Sequence, residues 1–503
     1  MKSIAAGFEK INDKLNPIVV KELRQAVQGK FLIVVLICFL CLQLLTVALF
    51  LTNESAAESF NAGRNISRVL LGILLATGLL FVPAYTGIRL ASERTDANVD
   101  LLFITTLRPR SIIWGKFFAG LILTVLIYSA CMPFMTFTYL LRGVDLPSLF
   151  VLLALIFIVV AGAIQCAMLI GCLPANRIFK VILAIGWFWV ILTVFLPLIV
   201  VMFMPGGLLD SGIGSQLGSW RFWVGALGVL GSGVALIVLC ALLSTALISP
   251  LSANRALPVR IFITAVWLLT GVCAAIWSIE TNDFQPIWIW GFIHILLYSI
   301  GLFVAVSERE RLGQRVRQDI PRRLLPRSLA FLFFSGAASG VAWSSLMIIL
   351  TALPIAAWIG IVPFTFNHAL ETLGSLVALG LYAFSFALGA SVIRRRFFAD
   401  RVTCGYTWVI ALVLFGITTT IIPLALFFLS GKWEQEWLIA SPLGPLLFDD
   451  QSSLVLHSVV IATICAAFAG GLSLSWLVRQ IDDFRPLKED TASDPQANES
   501  GGV

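Results

Sequence analysis

Chemistry has few places to reside in this chain. Its only histidines are His294, His368 and His457, and no Asp, Glu, Lys or Arg stands near the middle of any long apolar run. No Gly-x-x-x-x-Gly-Lys-Ser/Thr loop is present to cradle a phosphate, because Gly29-Lys30 and Gly115-Lys116 lack both the loop and the following hydroxyl. No zincin pair, nucleophile elbow or Ser/His/Asp set can be assembled, so no catalytic residue, cofactor or metal site is expected. The nine cysteines lie mostly inside apolar runs and none falls in an outer loop, which excludes an external disulfide framework. Cys38-x-x-Cys41 sits within the first apolar run and reads as small apolar packing rather than a metal or redox pair.

What remains is chemistry of docking. Between the second and third apolar runs the chain reads Ser92-Glu93-Arg94-Thr95-Asp96-Ala97-Asn98-Val99-Asp100-Leu101-Leu102-Phe103-Ile104-Thr105-Thr106-Leu107-Arg108-Pro109-Arg110-Ser111. Thr95 or Asp96 can cap a short helix over 95–108 that Pro109 stops, and Ser111 can cap the next, which rises through Trp114 and Lys116. Val99, Leu102, Phe103 and Thr106 then share one face, ringed by Asp96, Asp100 and Arg108. So short a segment has no core of its own to cover, and its apolar face must meet headgroups or another protein. A second candidate is the lead-in, residues 1–30. Asn16-Pro17 is a helix start, after which Val19, Leu23, Ala26 and Val27 line one face, with Lys21, Glu22, Arg24 and Gln25 around the rest. That pattern predicts an amphipathic helix lying at the membrane surface and turning into the first apolar run at Lys30.

The elements that must position these segments are membrane spans. The hydrophobic fraction is 59% and charged residues are 12%, against about a quarter charged in a soluble domain. Runs of about 20 apolar residues cross a bilayer. They occur near 31–51, 69–91, 117–141, 147–174, 180–204, 222–248, 261–279, 286–306, 340–362, 372–393, 407–430 and 455–479. The ninth is the least sharply bounded, because 331–339 is also apolar and can lie at the interface. The expected fold is therefore an all-α polytopic bundle of about twelve transmembrane helices, since runs this long and uniform are not barrel strands. Lys and Arg gather on alternate loops, most densely from Arg309 to Arg327, while the other side holds only Arg64, Arg68, Arg142, Arg221 and Lys432. The asymmetry places both termini in the cytoplasm. The net charge of +7 then reflects cations facing anionic headgroups, and no nucleic-acid partner is expected. The first thirty residues are charged and the first apolar run is full length, so no cleavable signal peptide is expected.

Ser92-Glu93-Arg94 closes the second run and Ser307-Glu308-Arg309 the eighth, which hints at two six-helix halves, 31–250 and 251–480. Two longer outer loops, 204–220 and 432–450, each precede the last span of a half and either dip into the bundle or lie on its surface. Residues 481–503 are polar and acidic and are expected to form a disordered cytoplasmic tail. Pro83, Pro133, Pro197, Pro354 and Pro423 each remove a helical hydrogen bond and permit a bend. His294 reads as hydrogen-bonded to a neighbour and Gln165 as interhelical glue.

Asn16-Pro17-Ile18-Val19-Val20-Lys21-Glu22-Leu23-Arg24 resembles the N-terminal interface helix of ABC-2 type transporter permeases. The Glu93-Arg94 to Lys116 segment resembles their coupling helix, in its Leu-Leu pair, its Thr-Thr-Leu-Arg step and its closing Gly-Lys. Pro133 in the third run also fits, and the resemblance covers roughly residues 16–250. The glycine that often follows the Glu-Arg pair is replaced here by Thr95-Asp96-Ala97. The resemblance implies the permease subunit of a bacterial plasma-membrane exporter with a separate cytoplasmic ABC ATPase subunit, which alone would hydrolyse ATP. It implies partner contact at Glu93, Arg94, Asp100, Leu102, Phe103, Thr106 and Arg108, with Lys21, Glu22 and Arg24 on the interface helix transmitting force. One chain could supply both halves of the pathway, or two could form a homo- or heterodimer. The substrate is not readable from the residues. Two other readings stay open, a non-transporting membrane scaffold or assembly protein and a secondary transporter for an apolar solute.

Overall fold

A computed structural model describes residues 16–52, 62–93, 109–141, 145–173, 180–186, 189, 218–250, 253–310, 312–361, 366–399, 401–448 and 452–486. The described residues are mainly helical and form no strand, and eleven of the helices are long and apolar enough to cross a membrane. Lipid offers the backbone no hydrogen-bond partner, so runs of this composition close their bonds internally. Of the expected fifth span only 180–186 and 189 are described, and they are helical. Several spans extend beyond their apolar runs, by up to about two turns for Ala62–Glu93 and Pro109–Leu140, because polar ends that reach water still satisfy helical hydrogen bonds. The chain divides into two compact units, Met1–Pro250 and Leu251–Val503.

In the first unit α1 (Pro17–Gln28) precedes α2 (Lys30–Thr52), α3 (Ala62–Glu93), α4 (Pro109–Leu140), α5 (Leu146–Cys172) and α6 (Trp220–Ile248). α5 is the centre, packed against α3, α4 and α6, and its Val160, Ile164 and Met168 are fully buried. In lipid, helices associate by close packing rather than by expelling water, and small residues permit that approach. A Cβ on Gly171 of α5 would stand 2.8 Å from the Gly87 carbonyl oxygen of α3, and one on Gly87 3.0 Å from the Ala167 carbonyl. The α3–α5 contact therefore runs backbone to backbone.

In the second unit α7 (Leu257–Thr281) and α8 (Gln285–Ala305) lead to two short helices, α9 (Gln314–Gln318) and α10 (Leu324–Phe333). Then come α11 (Ala337–Ile361), α12 (Phe366–Phe397), α13 (Thr407–Gly416), α14 (Ile422–Ser430) and α15 (Ser452–Asp483). α12 is the hub, lined by Ala383, Ala387 and Leu388 where it meets α15. The apolar stretch after 331 is split, since α10 ends at Phe333 and the ninth span starts afresh at Ala337.

Pro423 acts as expected. It opens α14 behind a π turn at Ile417–Ile421, so α13 and α14 form one interrupted span. Thr419 Oγ1 donates to the Phe415 carbonyl at 2.6 Å, and Thr418 Oγ1 to those of Phe415 and Leu414, which re-satisfies backbone loosened by the turn. Pro83, Pro133 and Pro354 lie inside continuous helices, and Pro197 falls outside the described residues. Of the two longer loops, 432–448 packs in. Leu438, Ser441, Gly444 and Phe448 are buried, and the Ile439 carbonyl accepts from the hydroxyls of Tyr382 (2.7 Å) and Ser458 (2.8 Å).

Three expectations change. Residues 481–486, expected in the polar tail, are built into the unit: α15 continues to Asp483, and Phe484 is buried against Phe331 and Phe334. The rest of that tail lies outside the described residues. Cys38 and Cys41 are exposed on α2 rather than packed inside. Gln165 is fully buried, yet its amide makes no hydrogen bond among the described residues. Gln43 bonds between helices instead, donating to the Leu70 carbonyl at 3.3 Å and to Cys131 Sγ at 3.6 Å. Hydropathy shows that an amide stands in lipid, but which neighbours it faces depends on helix rotation. His294 shares a 2.8 Å hydrogen bond through Nδ1 with the Trp290 carbonyl one turn earlier, the neighbour bond its position suggested.

Candidate functional site

The site is built where α1 meets the first turns of α4. Asn16 caps α1 by accepting from the Ile18 N–H at 3.1 Å, which leaves its amide nitrogen free to reach across. That nitrogen donates to the Ser111 carbonyl at 2.8 Å and to Ser111 Oγ at 3.0 Å. Ser111 is therefore not the cap of its helix. Pro109 and Arg110 are already helical, so Ser111 lies inside α4 and serves α1 instead. Gly115 makes the contact possible, since a Cβ there would lie 2.9 Å from Asn16 Nδ2 and 3.0 Å from Ile18 Cβ.

One turn further along α1 the contact becomes ionic. Lys116 Nζ lies 2.5 Å from Glu22 Oε1 and 2.8 Å from Glu93 Oε2. Glu22 and Lys116 are both nearly excluded from solvent, at 6% and 5% exposure, while Glu93 sits at the half-exposed end of α3. Arg89, one turn back on α3, completes the group. Its Nε lies 3.9 Å from Glu22 Oε2, its Nη1 donates to the Tyr85 hydroxyl at 2.5 Å, and its Nη2 donates to Gln25 Oε1. A small cavity of about 10 Å³, room for about one water molecule, is lined by Glu22, Arg89, Lys116, Tyr85 and Thr86 among others. One lysine thus ties three elements together: α1, the last residue of α3 and the start of α4.

The expected contact residues divide accordingly. Glu22 and Glu93 converge on Lys116, whereas Lys21 and Arg24 are exposed on the outer side of α1. Arg94, Asp100, Leu102, Phe103, Thr106 and Arg108, with the rest of the 95–108 helix, lie outside the described residues. The expected apolar face of α1 is rotated. Val19, Glu22 and Ala26 are buried and Leu23 is half-buried, but Val27 is 60% exposed. The reason is Lys116, which draws an acidic side chain into a face that hydropathy assigns to valine.

Three members of the network escaped the sequence reading. Lys116 was visible as a membrane-flanking cation and as the end of the Gly-Lys step, not as a buried ligand for two carboxylates. Arg89 and Tyr85 sit one turn apart on α3, a spacing that carries no signal by itself.

The second Ser-Glu-Arg triplet makes an analogous latch within its own unit. Arg260 of α7 is buried and forks onto Glu308, at 2.9 Å and 3.1 Å to the two carboxylate oxygens. Its other arm donates to the carbonyls of Leu332 (3.0 Å) and Phe334 (2.6 Å) and to Ser339 Oγ (3.0 Å). Glu308 also accepts from the Gly336 N–H at 2.6 Å. In each unit, then, the triplet's glutamate anchors the start of the following segment to a buried cation. Here α9 and α10 lie within the segment so anchored.

Among the described residues no three His, Cys, Asp or Glu side chains are grouped so as to hold a metal ion. The arrangement is mechanical in character, joining helices by charge at one end of the bundle. Comparison with family models, with curated proteins and with solved structures returns no match.

Proposed function

We propose that this chain is the membrane-spanning permease subunit of an ATP-driven exporter, taking its force from a separate cytoplasmic ATPase. The observation that carries the reading is Lys116, bonded at once to Glu22 of α1 and to Glu93 at the end of α3. The segment 94–108, whose sequence suits a docked amphipathic helix, follows Glu93 of α3 in the chain and precedes Pro109 of α4. The helices on either side of it, α3 through Glu93 and α4 through Lys116, are bonded to each other, and α1 is held to the same point through Glu22.

A force applied to that segment is passed on as displacement of a body rather than lost in a loop. Buried ion pairs with short contacts resist sliding, because separating them exposes unpaired charge in a poorly hydrated site. α1 continues into α2 through Gly29 alone, so movement of α1 reaches the first span directly. The backbone contact at Gly87 and Gly171 passes motion of α3 to α5 at the centre of the unit. Discrete rearrangement of such packed elements is how small shifts at one end become rocking of spans.

Two measurements test the proposal. Purification in mild detergent followed by mass spectrometry should recover an ATPase bearing a phosphate loop in fixed stoichiometry with the chain. Phe103→Asp should then release that partner and abolish transport while leaving membrane insertion intact. Transport that survives Phe103→Asp, or that persists without ATP and collapses with the ion gradient, would overturn the proposal.

A further inference from the structure

The second unit carries apolar side chains on a short helix that no described residue covers, and the chemistry beside them says what does. α10 is docked through its C-terminal turn, where Leu332 and Phe333 also pack against Tyr298 and Trp343. Ala330 and Phe331 join Phe334 and Phe484 in a small core, Phe331 meets Phe484 edge to face at 5.3 Å, and Arg327 Nε donates to the Phe484 carbonyl at 2.7 Å. The first two turns are not so covered: Leu325, Ser328 and Leu329 point away from Ala330 and Phe331, and Leu324, although on the Phe331 side, precedes the packed turn. There Leu324 and Leu325 are each 81% exposed and Leu329 is 61% exposed.

Those leucines are flanked by cations. Arg309, Arg315, Arg322 and Arg323 are all exposed in the segment that leads into α10, where Asp319 is the one fully exposed acidic side chain among the described residues. Glu308 and Glu310 are engaged elsewhere, by Arg260 and Arg394. α10 is joined to the membrane-spanning helix α11 by 334–336 alone, which holds it at the level where that span ends. Three outward leucines, clustered arginines and attachment at a span terminus are the combination that seats a helix in the plane of an anionic membrane surface.

We propose that α10 is an in-plane lipid-binding helix, its Leu324, Leu325 and Leu329 entering the acyl boundary while Arg309, Arg315 and Arg323 bind the phosphates of anionic phospholipid headgroups. The site is separate from the Glu22–Lys116 network and does not depend on the exporter reading. It makes this unit sensitive to headgroup charge, since the same segment is latched to Arg260 through Glu308.

The test is hydrogen exchange of the full-length chain in vesicles of phosphatidylcholine, with and without phosphatidylglycerol. Amides of 324–333 should be protected by phosphatidylglycerol, and added salt should weaken the protection. Arg315→Gln with Arg323→Gln should reduce the docking equilibrium by about thirtyfold, from about fivefold per arginine removed at an anionic surface, and Arg315→Glu with Arg323→Glu by more. A glutamate at position 323, the cap position of α10, suits the helix dipole, so lost protection could not be ascribed to a melted helix. Leu324→Ser with Leu325→Ser and Leu329→Ser, all at exposed sites, should abolish protection in both vesicles while the spans stay protected. Equal exchange of 324–333 with and without phosphatidylglycerol would overturn the proposal. So would protection supplied by added cytosolic protein and not by lipid, which would assign the face to a protein partner.

Discussion

Removing the Lys116 ammonium should loosen α1 more than removing either carboxylate that binds it. Lys116→Met leaves two acids behind, and they differ. Glu93 keeps 37% of its side chain exposed and can turn to water, so its loss counts for little. Glu22, with 8% of its side chain exposed, retains only Arg89 at 3.9 Å among the described residues. Breaking a buried pair by deleting one partner costs about 3–5 kcal/mol, and the surviving Arg89 contact puts this case near 3 kcal/mol. Glu22→Gln leaves Lys116 with Glu93 at 2.8 Å and should cost about 1–2 kcal/mol. Glu93→Gln should cost under about 1 kcal/mol. The double variant Glu22→Leu/Lys116→Met removes both buried charges and should be less damaging than Lys116→Met alone, a coupling of about 1–3 kcal/mol between neighbouring sites. The assay is hydrogen exchange of residues 17–28 in detergent-purified protein, because the change concerns local release of α1 rather than global unfolding. If Lys116→Met exchanges no faster than Glu93→Gln, or if the double variant equals the sum of its singles, the buried latch is not what seats α1.

Two further substitutions probe the packing of each unit. Gly171→Ala places a Cβ 2.8 Å from the rigid Gly87 carbonyl and should destabilise the first unit by about 1–3 kcal/mol, read as a lowered melting temperature in detergent. Gly225→Ala in α6, where no atom lies within 4 Å of the added carbon, should be neutral or mildly stabilising, and equal effects at the two sites would refute the close α3–α5 approach. Arg260→Met should cost about 3 kcal/mol by leaving Glu308 only its Gly336 N–H bond and taking a donor from the Leu332 and Phe334 carbonyls, and speed exchange around 332–336. Arg260→Lys should fail to restore protection there, because an ammonium cannot reproduce the two-armed fork, and full rescue by lysine would refute that geometry.

The division between what was legible in the residues and what was not follows the range of the interactions. Each apolar run near 31–51, 147–174 or 372–393 becomes a helix because lipid leaves its own backbone as the only hydrogen-bond partner, a constraint that acts within the run. Pro423 marked its own interruption for the same reason, and Asn16-Pro17 marked the start of α1. Such features need no knowledge of neighbours. The placement of Glu22 does, since its partner Lys116 is 94 residues away, and hydropathy assigns an isolated glutamate to the wet face of α1. The same holds for Gln165 and Gln43, two amides alike in sequence context of which one bonds across helices and the other does not. Composition and spacing alone determined that this chain is a helical bundle of membrane-spanning length, with its cations at the span ends. Which charges are buried, which glycines let backbones touch and which leucines of α10 stay uncovered were decided by helix rotation and contact, because those depend on distances between segments that no local pattern records.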